Sequence, residues 1–249
     1  MHGAYTALSR SAPLAQRQSS GLLIHWFRVR IPGVHQPCSS ALNRLARRRG
    51  GVVHATVLLA HPDPDSFAHA LARRAVTGLQ TAGWTVDLID LDAIDYPGAA
   101  TPDEWRAYPT AEPILDDVVR RHADLIRHTD ALVFVYPTWW SSVPAVLKSW
   151  MERTLVPGVA FTLEGPKNRL VPQLTNLRYV VGITTYGSPW WYVKLVNDAG
   201  RHTISRTLGL LARGHASRRW LALYSLDSRS TQSRQKFLDR VERDMAALR

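Results

Sequence analysis

ATVLLAHPDPDSFAHALA, residues 55–72, joins a short apolar run to a segment with helical spacing. The run 55–60 has the length and the branched side chains of a buried strand. Two prolines and two aspartates then form a polar turn, and Asp65 or Ser66 stands where a helix N-cap is expected. The stretch therefore predicts a strand, a turn and a helix over 66–83, which is the first half of a βαβ unit.

Four further apolar runs alternate with segments of helical periodicity along the rest of the chain. Each run has the length of a strand and is rich in branched or aromatic residues. Five strands alternating with helices predict an α/β fold with a parallel sheet covered on both faces. The stretch 156–177 bears glycines and prolines and is assigned neither a helix nor a strand. The other predicted strands span 85–90, 131–136, 179–185 and 217–226, and the other predicted helices span 114–128, 143–155, about 193–213 and 235–248.

The 249-residue chain carries a net charge of +11 that is distributed unevenly. Residues 1–51 hold eight arginines and no acidic residue, so they contribute +8 and leave +3 for the remainder. The remainder therefore lacks the overall basicity of a nucleic-acid-binding domain. No apolar run approaches the roughly 18 residues of a membrane span. The single cysteine, Cys38, excludes an internal disulfide and a thiolate metal cage, so we predict a cytoplasmic protein with no metal site.

The arginine-rich segment 1–52 has three interpretations. Its composition is typical of an organelle transit peptide, and equally of a disordered basic arm that binds nucleic acid. Codons for LAQRQS, GLLI and FRVRIPG can also be chosen to resemble, in order, three arms of a lysine transfer-RNA gene. We favour this third interpretation, in which translation begins near Val52 or Val53. Residues 53–249 then form the folded domain.

Three loops that follow predicted strands carry unusual chemistry: HPDPDSF (61–67), YPTWWSSVP (136–144) and TTYGSPWWY (184–192). Because the carboxyl ends of parallel strands share one edge of the sheet, the loops should meet there. The first precedes a helix whose free N–H groups suit a phosphate, although a simple helix cap would use the same residues. The other two supply rings and hydroxyls for a flat ligand, although tryptophan pairs also occur in cores and interfaces. The chain has neither a GxGxxG nor a P-loop motif.

The sequences AHPDPDSFAHALA, DALVFVYPTWWSSVPAVLKSWMERTLVPGVAF and GITTYGSP resemble the NAD(P)H:quinone oxidoreductase family. That family includes DT-diaphorase and the soluble ancillary proteins of bacterial potassium-efflux systems. The resemblance runs from about Ala55 to the C-terminus. It implies a flavodoxin-like three-layer sandwich, whose five-stranded parallel sheet has the order 2-1-3-4-5 and helices on both faces. It also implies a bound flavin, FMN or FAD, with its phosphate on the first loop.

The resemblance assigns cofactor-binding residues by position. One set holds the flavin phosphate, a second follows one edge of the isoalloxazine ring, and a third lies on its other side. The tyrosine in the third set departs from the family, whose TTGG pattern has a glycine there. The three sets are His61, Ser66 and Phe67; Pro137, Thr138, Trp139 and Trp140; and Thr184, Thr185, Tyr186 and Gly187.

Tyr192 matches a tyrosine that the family places beside the hydride-accepting substrate. Asp198 stands where the family has the companion histidine, and His202 follows one helical turn later, so the family's tyrosine–histidine pair is incomplete. We expect Trp140, Trp190 and Tyr192 to line the substrate slot. The candidate catalytic residues are therefore Tyr192, Trp140, Asp198 and His202.

The function that the resemblance implies is hydride transfer from NAD(P)H through the flavin to a quinone-like acceptor, by a ping-pong mechanism in a homodimer. The main alternative is a flavin- and NAD(P)H-binding regulatory subunit of a potassium-efflux transporter. A short flavodoxin-type electron carrier fits less well, because such carriers tend to be acidic and need no second aromatic wall. A nucleic-acid-binding protein that uses its basic arm is a further alternative. FMN versus FAD and NADH versus NADPH stay open at this point.

Overall fold

The computed structural model describes residues 53–110, 112–166 and 168–249. The segment 1–52 and the three interpretations of it lie outside the described residues. No helix in the described ranges combines the length and the apolar character needed to cross a membrane.

Five parallel strands form the central sheet in the order β2-β1-β3-β6-β7. Counted along the chain without the separate hairpin β4–β5, this order is 2-1-3-4-5, and the predicted fold is confirmed. β3 is buried along nearly its whole length, as expected for the central strand of a sheet covered on both faces. The strands are β1 (His54–Leu59), β2 (Thr85–Asp90), β3 (Ala131–Pro137), β4 (Phe161–Glu164), β5 (Arg169–Pro172), β6 (Tyr179–Thr185) and β7 (Ser217–Leu223).

Helices connect the strands and cover both faces of the sheet. The first, α1, begins after the N-cap Ser66, whose side chain accepts a hydrogen bond from the His69 N–H. The predicted helix 114–128 begins later, because Asp116 caps the Val118 and Val119 N–H groups. The helices are α1 (Phe67–Thr81), α2 (Pro102–Ala107), α3 (Asp117–His128), α4 (Ala145–Thr154), α5 (Trp190–Leu195), α6 (Ala199–His202), a π-helical turn (Thr203–Thr207), α7 (Leu208–Leu211), a 3₁₀ turn (Leu226–Ser228) and α8 (Thr231–Ala246).

Two hydrophobic cores lie on opposite faces of the sheet. One packs α1 against α8 and the inner strands, and the two helices approach so closely that a Cβ at Gly78 would fall 2.3 Å from the Glu242 carbonyl oxygen. The other core contains α3, α4 and the segment from the π-helical turn to α7. The groups that cover the sheet are therefore α1 and α8 on one face, and α3, α4, the π-helical turn and α7 on the other.

Three local predictions were wrong. The stretch 156–177 contains the antiparallel hairpin of β4 and β5, whose strands have only four residues each and so give a short periodic signal. The single helix predicted over about 193–213 is broken after α5, because Asn197 adopts a left-handed φ of 63°. The last strand ends at Leu223 rather than at 226, and Ser225 has a φ of 55° that is incompatible with a strand.

Candidate active site

The three loops predicted to meet at the carboxyl edge of the sheet do meet there. The imidazole of His61 lies 5.9 Å from the Trp139 ring, which joins the first loop to the second. The Thr138 N–H donates to the Thr185 carbonyl at 2.8 Å, and the Thr138 and Thr184 hydroxyls are 2.9 Å apart, which joins the second loop to the third. The edge thus has one continuous surface built from β1, β3 and β6.

The first loop is organised around the start of α1. The Asp63 N–H donates to His61 Nδ1, and the Asp65 N–H donates to the Asp63 carboxylate, both at 3.0 Å. Ser66 caps the helix, so the N–H groups of the first turn that lack intrahelical partners face outward at its positive end. This arrangement can hold a phosphate through backbone N–H groups.

Sequence reasoning missed His69 on α1, which contacts this loop, and Asp90 on β2, which contacts His69. His69 Nδ1 lies 2.9 Å from the Ser66 hydroxyl oxygen, and its Nε2 lies 2.8 Å from the Asp90 carboxylate. Through these contacts Asp90 orients the imidazole that positions the Ser66 hydroxyl. The spacing of His69 three residues after an N-cap was a usable signal, whereas Asp90 is brought in from β2 by the fold.

Acidic groups, rather than basic ones, surround the first loop. Burial and the neighbouring charge of Asp90 raise the pKa of Asp92, although the charge and N–H of His61 oppose the shift. Residues 60–72 include no lysine or arginine. A phosphate here would therefore depend on the helix N-terminus and on His61, and its charge would gain nothing from cations of the loop itself.

The second loop is a tight turn that presents a tryptophan to solvent. Trp139 and Ser142 exchange backbone hydrogen bonds at 3.1 and 2.9 Å, and the two residues between them have left-handed φ angles of 48° and 57°. This is the geometry of a type I′ turn, which glycine and asparagine usually occupy. Trp140 instead occupies the first of these strained positions with its side chain fully exposed. Strain at such a position is typical of functional sites.

Tyr186 and Asp198, the two departures from the family pattern, bind each other. The Tyr186 hydroxyl donates to the Asp198 carboxylate at 2.8 Å, and its ring stacks on Tyr224 at 4.8 Å. Burial, followed by the charge of Asp198, raises the pKa of Tyr186 far above its ordinary value, so the tyrosine stays protonated as the donor. Asp198 also accepts from the Arg201 N–H at 3.3 Å. Asp198 is thus used to hold the third loop against the start of α6, rather than to contact Tyr192.

The remaining predicted site residues fall into buried and exposed groups. Pro137 ends β3, and Phe67 packs partly against the core between α1 and α8. The threonine side chains are buried at the end of β6, whereas the aromatic residues of α5 are exposed beside them. His202 is half-buried further along, at the end of α6. The buried residues are Thr184 and Thr185, and the exposed ones include Gly187, Trp190, Trp191 and Tyr192.

These residues fit a flavin. The outward N–H groups of α1 suit its phosphate, and the second and third loops contribute backbone groups beside exposed rings that a planar ring system could cover. Exposed aromatic clusters of this kind are unusual on a surface that binds nothing. The fit does not distinguish FMN from FAD.

Comparison with known proteins agrees with this geometry. A family model described as flavodoxin-like fold matches residues 54–212, which is more than half of the chain. The chain belongs to the flavodoxin-like fold family. The matched region of this flavodoxin-like protein includes all three loops of the carboxyl edge and ends in α7.

Several relatives with related sequences are quinone-reducing enzymes by name, which confirms the resemblance recognised in the sequence. NAD(P)H dehydrogenase (quinone) 1 of Cavia porcellus is 32% identical over 153 residues, 55% of this chain and 55% of that protein. The Homo sapiens ribosyldihydronicotinamide dehydrogenase (quinone) is 30% identical over 162 residues, 59% of this chain and 69% of that protein. The flavodoxin-like chain spans about half the length of the first of these relatives.

A solved structure supports the same relationship. The NAD(P)H:quinone oxidoreductase from Methanothermobacter marburgensis superimposes with a TM-score of 0.65 and 25% sequence identity. The superposition covers 79% of this chain and 96% of the archaeal one. The two proteins therefore share their overall fold over nearly the whole length of that enzyme.

Proposed function

We propose that the protein is a flavin-dependent NAD(P)H oxidoreductase that reduces a quinone-like acceptor. The observation that carries the proposal is the convergence of the three loops on one edge, where a phosphate-type helix start faces exposed aromatic rings. The names of the relatives support NAD(P)H as the donor and a quinone as the acceptor. A homodimer is part of the proposal, and the exposed aromatic residues of α5 are suited to an interface.

The bound flavin would supply the redox chemistry, by accepting hydride from NAD(P)H and reducing the acceptor in a second, separate half-reaction. The protein's part is to position the reactants. His61 and Ser66 orient the phosphate end, and the second and third loops hold the ring. Trp140, Trp190 and Tyr192 form the walls of the slot that donor and acceptor occupy in turn. The Tyr192 hydroxyl donates a hydrogen bond to the quinone oxygen as negative charge develops on it.

The first test is whether the purified protein binds flavin and turns over. We expect a yellow protein that releases FMN or FAD on denaturation, identified by mass, and that oxidises NADPH or NADH only when a quinone is present. A colourless protein that binds neither added FMN nor FAD would refute the proposal. Sedimentation of the same sample measures its oligomeric state.

Substitution of Tyr192 tests its proposed role. We expect Tyr192→Phe to slow reoxidation by quinone by about tenfold to a hundredfold, because a hydrogen-bond donor to the developing charge is lost. Flavin affinity and reduction by NAD(P)H should be unchanged. Stopped-flow absorbance separates the two half-reactions. Tyr179→Phe, at the opposite end of β6, is the matched control, and equal rates in both variants would remove Tyr192 from the mechanism.

A further inference from the structure

A basic cavity of about 560 Å³ lies beside the candidate site, between the helices that follow β6 and the edge strand β7. α5, α6 and the π-helical turn form one wall, and β7 forms the other. Five cationic side chains and one tryptophan line it. They are Lys194, Arg201, Arg206, Arg218, Arg219 and Trp220, and we call this set the basic groove.

The cations of the basic groove have no carboxylate partners in the part of the chain that the structure describes. None of the five lies within 4 Å of an acidic side chain there, whereas cations elsewhere in the fold, such as Arg74 and Arg153, have such partners. The one carboxylate in the lining is Asp198, which accepts from Tyr186. Five like charges around one cavity repel each other, and a polyanionic ligand would remove that repulsion.

The groove also has an aromatic floor. Gly182 on β6 lets the Trp220 ring lie flat across the strand, because a Cβ there would fall 2.0 Å from the ring. The Arg201 guanidinium lies 5.8 Å from the centre of that ring. Gly209 on α7 leaves room for the Arg218 side chain, because a Cβ at Gly209 would fall 3.1 Å from that side chain. A ring that stacks near Trp220 would therefore also contact the Arg201 guanidinium.

The basic groove adjoins the slot of the proposed enzyme, because Asp198 and α5 border both. Asp198 lines the groove and binds Tyr186 in the third loop, while Lys194 follows Tyr192 by two residues on α5. One extended ligand can thus reach from the carboxyl edge into the groove. Charged residues on an edge strand can prevent it from pairing with another chain, which would explain Arg218 and Arg219 on β7. It would not explain Arg201 and Arg206, which lie on the facing helices.

We propose that the basic groove binds the phosphorylated adenosine half of NADPH, and that the enzyme therefore prefers NADPH to NADH. This inference rests on the proposed function, which supplies NAD(P)H as the hydride donor. It adds a preference for NADPH over NADH. The 2′-phosphate of NADPH carries the charge that NADH lacks, and guanidinium groups bind phosphate through paired, charge-assisted hydrogen bonds. A cavity of this size is within the range of small-molecule sites.

A double variant in the groove tests the assignment without relying on turnover. The holoprotein is titrated with adenosine 2′,5′-bisphosphate and with 5′-ADP by calorimetry. We expect the 2′,5′-bisphosphate to bind more tightly, and Arg206→Gln/Arg218→Gln to weaken its binding by about tenfold or more, since two charged contacts are lost. Arg73→Gln/Arg243→Gln is the matched control, because both of its arginines are exposed on the helices of the opposite face.

Steady-state kinetics supply the second measurement. The kcat/KM for NADPH should exceed that for NADH by about tenfold in the wild type. The groove variant should lose this preference, because its kcat/KM should fall by about tenfold more for NADPH than for NADH. Equal use of both donors, or equal binding of adenosine 2′,5′-bisphosphate and 5′-ADP, would overturn the proposal and leave the oxidoreductase function intact. A protein that binds adenosine 2′,5′-bisphosphate but no flavin would instead refute the proposed function, and with it the assigned donor preference, while it would leave the groove as a phosphate site.

Discussion

The first loop and the basic groove are both suited to phosphate, but they achieve this by different means. The first loop offers backbone N–H groups at the start of α1 and has aspartates, not cations, around it. The groove offers five cationic side chains, and the helix start that borders it, that of α6, is already capped by the Asp198 carboxylate. A backbone site selects one phosphate by its position, whereas a side-chain site responds to the amount of charge on the ligand. We infer that the first fixes a resident cofactor and the second discriminates between exchanging ligands.

A charge added to the first loop should have the largest effect. Asp is as good an N-cap as Ser, so Ser66→Asp should preserve α1 while it places a carboxylate against the bound phosphate. We expect flavin affinity to fall by roughly a hundredfold or more, because like charges about 4 Å apart near a protein surface repel by several kcal/mol. Flavin fluorescence quenching measures the dissociation constant.

Ser66→Asn is the matched control for this experiment, since it keeps the cap without a charge. Its flavin affinity should stay within a few-fold of the wild type. If both variants bind flavin equally well, the phosphate is held elsewhere and the comparison between the two surfaces fails.

Removal of the Tyr186 hydroxyl should have the next largest effect, because it joins the third loop to the groove. Tyr186→Phe leaves the Asp198 carboxylate, which is only 7% exposed, with the Arg201 N–H as its remaining partner among the contacts described above. We expect the free energy of unfolding to fall by about 1 to 3 kcal/mol, the cost of an unsatisfied buried group. Urea denaturation measures it. Tyr224→Phe is the control, and equal midpoints for the two variants would contradict the assigned hydrogen bond.

Much of the carboxyl edge was predictable because local pattern and global fold agree there. The strands 85–90 and 179–185 were predicted with the observed bounds, since each is a short apolar or alternating run between turn residues. The loops after β1, β3 and β6 then had to share an edge. Parallel topology alone was enough to bring His61, Trp139 and Thr184 together.

The groove was not predictable, because it depends on contacts between segments distant in sequence. The residues around Asn197 and Asp198 have helical spacing, yet the hydrogen bond to Tyr186 and the left-handed Asn197 break the helix there. That break turns Arg201 toward Trp220 on β7. Which arginines lack carboxylate partners also depends on tertiary structure, since the sequence shows only that acids and bases are mixed.

Added salt should weaken NADPH binding at the basic groove more than flavin binding at the first loop. We expect this effect to be smaller than those of the substitutions above. Between about 0.05 and 0.5 M ionic strength, screening shortens from roughly 14 Å to about 4 Å, so attraction to exposed side-chain charges weakens strongly. We expect the KM for NADPH to rise about fivefold, and the KM for NADH and the flavin dissociation constant to change by less than about twofold. Steady-state rates and quenching titrations across the salt series measure this. A parallel rise for NADH and NADPH would show that the groove does not sense the additional phosphate.

Removal of one carboxylate near the first loop should have the smallest effect, and that effect is on stability. The folded protein holds the pKa of Asp92 above the value of an exposed aspartate, so the fold favours the protonated form. The contribution of Asp92 to stability is therefore fully present below the pKa of an unfolded aspartate, where the group is protonated in both states, and it is lost as the pH rises through the folded pKa. We expect Asp92→Asn to stabilise the protein at pH 7 by less than about 1 kcal/mol, since solvent screens this partly exposed group. The gain should vanish near pH 4 in urea denaturation. An equal gain in stability at pH 4 and pH 7 would show that Asp92→Asn acts by packing. The charge of the Asp92 carboxylate would then contribute nothing.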